Sequence, residues 1–428
     1  MPDQDRKKAL LIAYYWPPAG GPGVMRWLRF SKYFSENGWD LTVLVPENPA
    51  YPIVDESLMS QVSDKIKVLK VPIFEPAAMF GQALGNQKGV AFVSDKKPGL
   101  LQKVAIWFRG NYLIPDARRF WIQPATKFLL QYLHENPQDA IISTGPPHSL
   151  HLIARNIKQQ INIKWLADFR DPWTGIDFYK ELMLSKSADR RHRELEKSVL
   201  TEADVVCTVS PQWASDLEQL SGRIVEVVGN GYEFNLQKSV SQTYPTKFSI
   251  AHFGSMPAAR NPRGLWQALR ELLTEIPEMK TDLQILFAGN VDYSIPLDIE
   301  AHGLGEFIVN KGQVAHHQSL ELQNQSAILL LVANDTPNSS GILTGKFYEY
   351  MNARRPILAF GPEGGNLQHE IQATSSGDFV PYGRVDLIKD VLRRYFRQYK
   401  EGALSVQPRN LQQYDSGHLA AKICSLIR

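Results

Sequence analysis

Ala9-Leu10-Leu11-Ile12-Ala13-Tyr14-Tyr15-Trp16-Pro17-Pro18-Ala19-Gly20-Gly21-Pro22-Gly23-Val24-Met25-Arg26 is the stretch whose reading decides the fold class. Its first half is an apolar run of strand length, and its second half is a glycine- and proline-rich turn. The turn opens into an amphipathic segment, Val24 to Asn37, which Gly38 ends. A buried strand feeding a helix through such a turn is the opening unit of a parallel sheet covered by helices. The alternation continues through strands at Leu41 to Val45, Ala140 to Ser143, Lys164 to Phe169 and Asp204 to Thr208. A helix capped by Ser210, with Pro211 at its first position, then leads to Ile224 to Val228.

The polar stretch Asn235 to Thr246 interrupts this series, and a second one follows. It runs from strand Phe248 to Phe253 through a helix around Pro262 to Leu273 and strands Gln284 to Ala288 and Ala327 to Val332. A helix from Gly345 to Asn352, strand Pro356 to Phe360 and helices Val385 to Tyr399 and Ser416 to Ile427 complete it. The expectation is an α/β chain of two doubly wound domains, 1–234 and 247–405, joined by a linker at 235–246. A helical segment, 406–428, is expected to pack back towards the first domain. Doubly wound sheets bind ligands beyond the carboxyl ends of their strands, so the cleft between the two domains is the expected site.

Composition agrees with two ordinary cores: 428 residues, 43% hydrophobic and 21% charged. A net charge of +3 argues against a nucleic-acid partner. Cys207 and Cys424 form no disulfide framework or metal-site spacing, which suits a reducing cytosol. Ala9 to Trp16 is too short to span a bilayer and ends in Pro-Pro-Ala-Gly-Gly, unlike a cleavage site. The expected location is cytoplasmic, with peripheral attachment to the inner membrane face open.

Five loops carry candidate chemistry. The turn at Gly20 and Gly21 either brings backbone amides to an anion or only makes a sharp bend. Its Gly21 and Gly23 fit a dinucleotide fingerprint, but Arg26 stands where the third glycine belongs, which argues against that reading. His148, after Ser143-Thr144-Gly145-Pro146-Pro147, is either a general base or a helix cap. Asp168, Arg170 and Asp171 in Ala167-Asp168-Phe169-Arg170-Asp171-Pro172-Trp173 must be paired or face a ligand, because unpaired charges beside apolar neighbours are expensive. An internal Arg to Asp ion pair is the structural alternative. Gly254 ends a strand ahead of Arg260, Asn261 and Arg263, where a cation would either neutralise a diphosphate or sit in solvent.

The fifth loop, Pro337-Asn338-Ser339-Ser340-Gly341-Ile342-Leu343-Thr344-Gly345-Lys346-Phe347-Tyr348-Glu349-Tyr350, passes from small residues straight into a helix. Free amides at Leu343, Thr344 and Gly345 suit phosphate oxygens. Lys346 and Glu349 share a helix face, either as cation and carboxylate for phosphate and ribose or as a surface ion pair.

Taken in order, Tyr-x-Pro-Pro-x-Gly-Gly-x-Gly, Ala-Asp-Phe-Arg-Asp-Pro-Trp, Asn230-Gly231-Tyr232 and Lys346-x-x-Glu349-Tyr350 resemble the retaining glycosyltransferases of family 4, over most of the chain. That resemblance implies the GT-B fold, two Rossmann-like domains facing a cleft. It implies transfer from a nucleotide-diphosphate sugar to a glycan or lipid-linked glycan, with retention, no bound metal and no cofactor. It further implies Gly20 and Gly21 near the diphosphate, the amides of Leu343 to Gly345 on the diphosphate, and Glu349 on the ribose. With these go Gly254, Arg260 and Lys346 on the donor side, and Arg170, Asp171 and His148 as catalytic candidates. The family's two glutamates lie either side of seven residues; here Gly341 replaces the first. Arg170 and Asp171 stand where many members carry a histidine, and Ser255 where an arginine is frequent.

Residues 102–123 mix Lys103, Arg109, Arg118 and Arg119 with Trp107, Phe108, Phe120 and Trp121. This suits either an anionic membrane surface or packing of an insertion onto the first domain. Rival readings of the chain are a GT-B nucleotide-sugar epimerase, a non-catalytic sugar-nucleotide binding protein and, less favoured, a nicotinamide dehydrogenase.

Overall fold

The computed structural model describes residues 6–75, 100–234, 244–336 and 339–428. Most of the expected linker, and Pro337 and Asn338 of the fifth loop, lie outside them. The chain divides into two compact units, Met1–Glu233 with Asp415–Arg428, and Phe234–Tyr414.

The first unit is built on seven strands: β1 (Lys7–Ile12), β2 (Trp39–Pro46), β3 (Lys67–Val71), β4 (Ala140–Gly145), β5 (Lys164–Phe169), β6 (Val205–Thr208) and β7 (Glu226–Val227). All pair in parallel, in the order β3-β2-β1-β4-β5-β6-β7. Leu10 and Ile12 pack into a cluster with Ile141, Trp165 and Leu129 on one side of the sheet. Ala9 and Leu11 pack with Trp27, Phe30 and Ile142 on the other. Burial on both faces explains why these strands read as unbroken apolar runs.

Helix Pro22–Phe34 follows β1, and a short 3₁₀ turn leads to Gly38, which closes the segment in the left-handed conformation. The last helix, Ser416–Leu426, packs on Pro22–Phe34 and adds Leu419, Ala420, Ile423 and Cys424 to the first unit's core. Asp415 caps it by accepting from the Gly417 and His418 amides at 2.9 and 3.2 Å.

The second unit has six parallel strands: β8 (Phe248–Phe253), β9 (Leu283–Ala288), β10 (Ile308–Asn310), β11 (Ile328–Val332), β12 (Ile357–Gly361) and β13 (Gly377–Pro381), in the order β10-β9-β8-β11-β12-β13. In both sheets the chain works outward in one direction and then reverses. The reversal falls between β1 and β4 in the first unit, and between β8 and β11 in the second. Loops leaving the carboxyl ends of those neighbouring strands diverge, which opens a crevice in each unit.

Candidate functional site

Each crevice collects loops singled out from the sequence. In the second unit, β8 delivers Gly254 and Ser255, while the chain after β11 leads to helix Gly345–Ala353. Tyr350 ties that helix to β8: its buried hydroxyl accepts from the Phe253 amide at 3.1 Å. The helix start is thereby set against Gly254. A Cβ at Gly254 would meet Lys346 Cε at 2.9 Å, and its φ of +82° is one L side chains rarely adopt. Only glycine lets the lysine stem lie this close.

Lys346 Nζ donates to the Ser255 carbonyl at 2.9 Å and lies 3.4 Å from His252 Nε2. Burial, and then the neighbouring Arg260 guanidinium, bring this ammonium down to about 7, with Glu349 pulling the other way. Arg260 is held by its Nε donating to Asn334 Oδ1 at 2.7 Å, which joins the loop after β8 to the loop after β11. Glu349 accepts from Gln323 Nε2 at 3.5 Å, and Lys346 forms no ion pair with it. Arg263 is largely exposed and pairs with Asp298 at 3.4 Å.

Thr344 is the N-cap of helix Gly345–Ala353, yet its side chain makes no capping bond and, among the described residues, its buried Oγ1 has no hydrogen-bond partner. Among the described residues, the amides of Leu343, Thr344 and Gly345 also find no acceptor. Orphan donors at a helix N-terminus, a half-buried lysine and an arginine together make a cradle for an anion of several oxygens.

In the first unit the charged trio after β5 separates. Asp168 is wholly buried and accepts from Arg26 Nε and Nη2 at 3.1 and 2.8 Å, from Trp27 Nε1 at 2.8 Å and from Thr144 Oγ1 at 2.9 Å. Burial pushes this carboxyl up, but the Arg26 pair outweighs it and leaves it below the usual carboxylate range. Arg26 also donates to the carbonyls of Val228 and Gly229. The internal ion pair therefore exists, with Arg26 rather than Arg170 as the cation. Arg26, read from the sequence only as a misfit to the dinucleotide fingerprint, is a pin that joins helix Pro22–Phe34 to β5 and to the chain after β7.

Arg170 instead donates to three backbone carbonyls, those of Gly23, Gly145 and Pro146. It clasps the glycine turn after β1 to the turn after β4. Within the first of these, Gly20 N donates to the Ile53 carbonyl at 2.9 Å, and Gly21, at φ +87°, is the N-cap of helix Pro22–Phe34. Asp171, next to Arg170, is half-buried.

His148 stands at the N-cap position of helix Ser149–Lys158 but makes no capping bond. Asp116 does that work from elsewhere in the chain, accepting from Ser149 N and Oγ at 2.9 and 2.8 Å. His148 stacks on Trp173 at 5.0 Å, burial lowers its pKa to about 4, and its Nδ1 has no hydrogen-bond partner among the described residues. The Asn230-Gly231-Tyr232 motif is a packing joint. Gly231 at φ +72° lies where a Cβ would meet Phe30 Cε1 at 2.9 Å, and Arg29 bonds its carbonyl at 2.9 Å while covering the Tyr232 ring.

Residues 102–123 split between two roles. Trp121 is buried and donates to the Val71 carbonyl, and Arg118 pairs with Glu75 at 3.2 Å. Lys103, Trp107, Phe108, Arg119 and Phe120 are exposed. Among the described residues no helix is long and apolar enough to cross a membrane, and no group of three or more His, Cys, Asp or Glu side chains could hold a metal ion.

Residues 20–231 match the model of the glycosyl transferase 4-like domain. No curated protein matches the chain. Among solved structures it is similar to Anabaena Alr3699/HepE in complex with UDP and glucose (15% identity, 98% of each chain covered, TM-score 0.59). It is also similar to a variant of S. aureus TarM in complex with Fondaparinux, alpha-GlcNAc-glycerol and UDP (10% identity, 99% of this chain and 100% of that one, TM-score 0.59). A third is the sucrose-phosphate synthase of Thermosynechococcus elongatus (15% identity, 99% and 96% covered, TM-score 0.55). The chain has the two-unit α/β fold of the GT-B glycosyltransferases, and its first unit carries the match to the glycosyl transferase 4-like domain.

Proposed function

We propose that this chain is a glycosyltransferase that moves a sugar from a nucleotide-diphosphate donor to a glycan or lipid-linked glycan acceptor, with retention. The observation that carries the reading is the cradle in the second unit: the unpartnered amides of Leu343 to Gly345 and the orphan Thr344 hydroxyl, with Lys346 and Arg260 beside them. A departing nucleoside diphosphate gains negative charge as the glycosidic bond breaks, so donors already aimed at its oxygens stabilise the transition state more than the ground state. Glu349, steadied by Gln323, takes the ribose hydroxyls. Gly20 and Gly21 bring main chain to the donor and acceptor, Arg170 fixes that turn, and His148 and Asp171 are the acceptor-side groups. The complexes of HepE and TarM with UDP support a nucleotide-sugar donor.

The test is thermal stabilisation by UDP, GDP, ADP and NAD on the wild type and on Glu349→Ala. A ligand that binds only the folded state at about 100 times its dissociation constant adds about 2.7 kcal/mol. One nucleoside diphosphate should raise Tm in the wild type and lose most of that effect in the variant. A response to NAD alone would overturn the reading. Free monosaccharide interconversion without an acceptor would move it to an epimerase.

The acceptor side is proposed to meet an anionic membrane. Trp107 and Tyr112 line a groove of about 550 Å³ with Arg190 and Arg191, and exposed Phe108, Phe120, Lys103 and Arg119 lie on the same chain segment. Aromatic rims with clustered cations suit a headgroup layer. Sedimentation with vesicles containing anionic lipid should exceed that with neutral vesicles and fall in Trp107→Ser/Arg190→Ser; equal binding to both would refute it.

A further inference from the structure

The Lys346 ammonium lacks the carboxylate partner that a half-buried lysine ordinarily has, and its seat is unusual. His252, the penultimate residue of β8, is 1% exposed. Its Nδ1 lies 2.9 Å from the Leu330 carbonyl on β11 and its Nε2 3.4 Å from the Ser255 carbonyl; both carbonyls only accept, and the much shorter contact puts the neutral ring's one proton on Nδ1, which leaves Nε2 as an acceptor. That acceptor faces Lys346 Nζ at 3.4 Å, and the Ser255 carbonyl takes a second N–H at 2.9 Å. The ring is held neutral by burial and by the cations Lys346 and Arg260, which bring it down to about 3. The charged groups facing Lys346 are Arg260 from the loop after β8, which repels it, and Glu349 from its own helix, which attracts it.

Resting on the donor-site reading above, we propose that His252 is the positioning residue of Lys346: a neutral acceptor that aims the amine at the donor diphosphate without neutralising it, so that diphosphate binding draws a proton onto the lysine. An aspartate in this position would hold the amine equally well but would compete with phosphate for its charge. A neutral imidazole holds only the direction. With the free amine at about 7, most of it is unprotonated at pH 8, and an arriving diphosphate, the strongest anion in its surroundings, restores the ammonium. Proton balance is simple: solvent supplies one proton to Nζ, Nδ1 of His252 keeps its own, and the terminal phosphate is already ionised at that pH.

The test is titration calorimetry at pH 8 in two buffers of different ionisation enthalpy, using UDP, GDP and ADP in turn on the full chain. The wild type should take up close to one proton with whichever of them binds, and its affinity should fall by up to tenfold per pH unit above pH 8. Lys346→Met should bind more weakly and take up none. His252→Leu should lose about tenfold in affinity, the order expected for one hydrogen bond to a charged group, while His252→Gln, whose Oε1 restores a neutral acceptor, should recover most of it. Binding by the wild type without proton uptake, or uptake that persists in Lys346→Met, overturns the inference and leaves the donor site standing. So does unchanged affinity in His252→Leu. Absence of binding by all three diphosphates overturns the donor site and this inference together, and the wild type alone decides between these cases if the Leu variant does not fold.

Discussion

Changing Asp168 to Asn keeps shape and volume while removing the one negative charge that Arg26 faces in the core, where the two side chains are 0% and 2% exposed. The guanidinium is left buried and uncompensated. The new amide must also turn an N–H towards at least one of the donors that now converge on the carboxylate, Arg26, Trp27 and Thr144. Breaking one side of a buried pair costs about 3–5 kcal/mol. A unit of this size has a urea m value of roughly 3 kcal/mol/M, so the midpoint should fall by about 1–1.7 M. Tryptophan fluorescence is the right probe: of nine tryptophans, only Trp266 belongs to the second unit. The change should therefore appear in the fluorescence transition, while a probe placed in the second unit moves less.

Acidity gives an independent check on the same pair. The folded-state value of Asp168 is depressed, so its contribution is complete above the unfolded carboxyl value of about 4 and is lost as pH falls through the folded one. The gap between wild type and Asp168→Asn should stay constant from pH 8 to pH 5 and close below about pH 4. A midpoint shift under about 0.3 M at neutral pH, with m unchanged, would refute the claim that this pair pins the unit.

Two further substitutions probe the second unit. Gly254→Ala forces a Cβ into Lys346 Cε and a positive φ onto an L residue; it should cost about 1–2 kcal/mol in denaturant midpoint and abolish nucleoside diphosphate stabilisation in thermal melts. Tyr350→Phe leaves the buried Phe253 amide without its acceptor, so a loss of about 1–3 kcal/mol and weaker diphosphate binding are expected, and wild-type values for both would show that Tyr350 does not set the helix.

Central strands were legible because burial on both faces demands continuous apolar runs. Lys164–Phe169 and Phe248–Phe253 are predicted and observed with the same bounds, and the others to within a few residues. The strands absent from the sequence reading, β3, β10 and β13, all lie at sheet edges, where one side lacks a neighbour and Lys67-Val68-Leu69-Lys70-Val71 or Ile308-Val309-Asn310 need not be wholly apolar. Caps such as Ser210 and Gly38 were legible because they act over three or four residues.

Local chemistry thus marked the loops: glycine turns, the amide-rich start of helix Gly345–Ala353, and the Lys346-x-x-Glu349 spacing can be read from neighbours in the chain. Partnerships across long separations could not be. Arg26 with Asp168, Arg170 with the carbonyls of Gly23, Gly145 and Pro146, Asp116 as the cap beside His148, and His252 behind Lys346 join residues 24 to 147 positions apart. No local pattern encodes them. They arise because the strand order reverses between β1 and β4 and between β8 and β11, a packing outcome that brings loops distant in sequence to one end of each sheet.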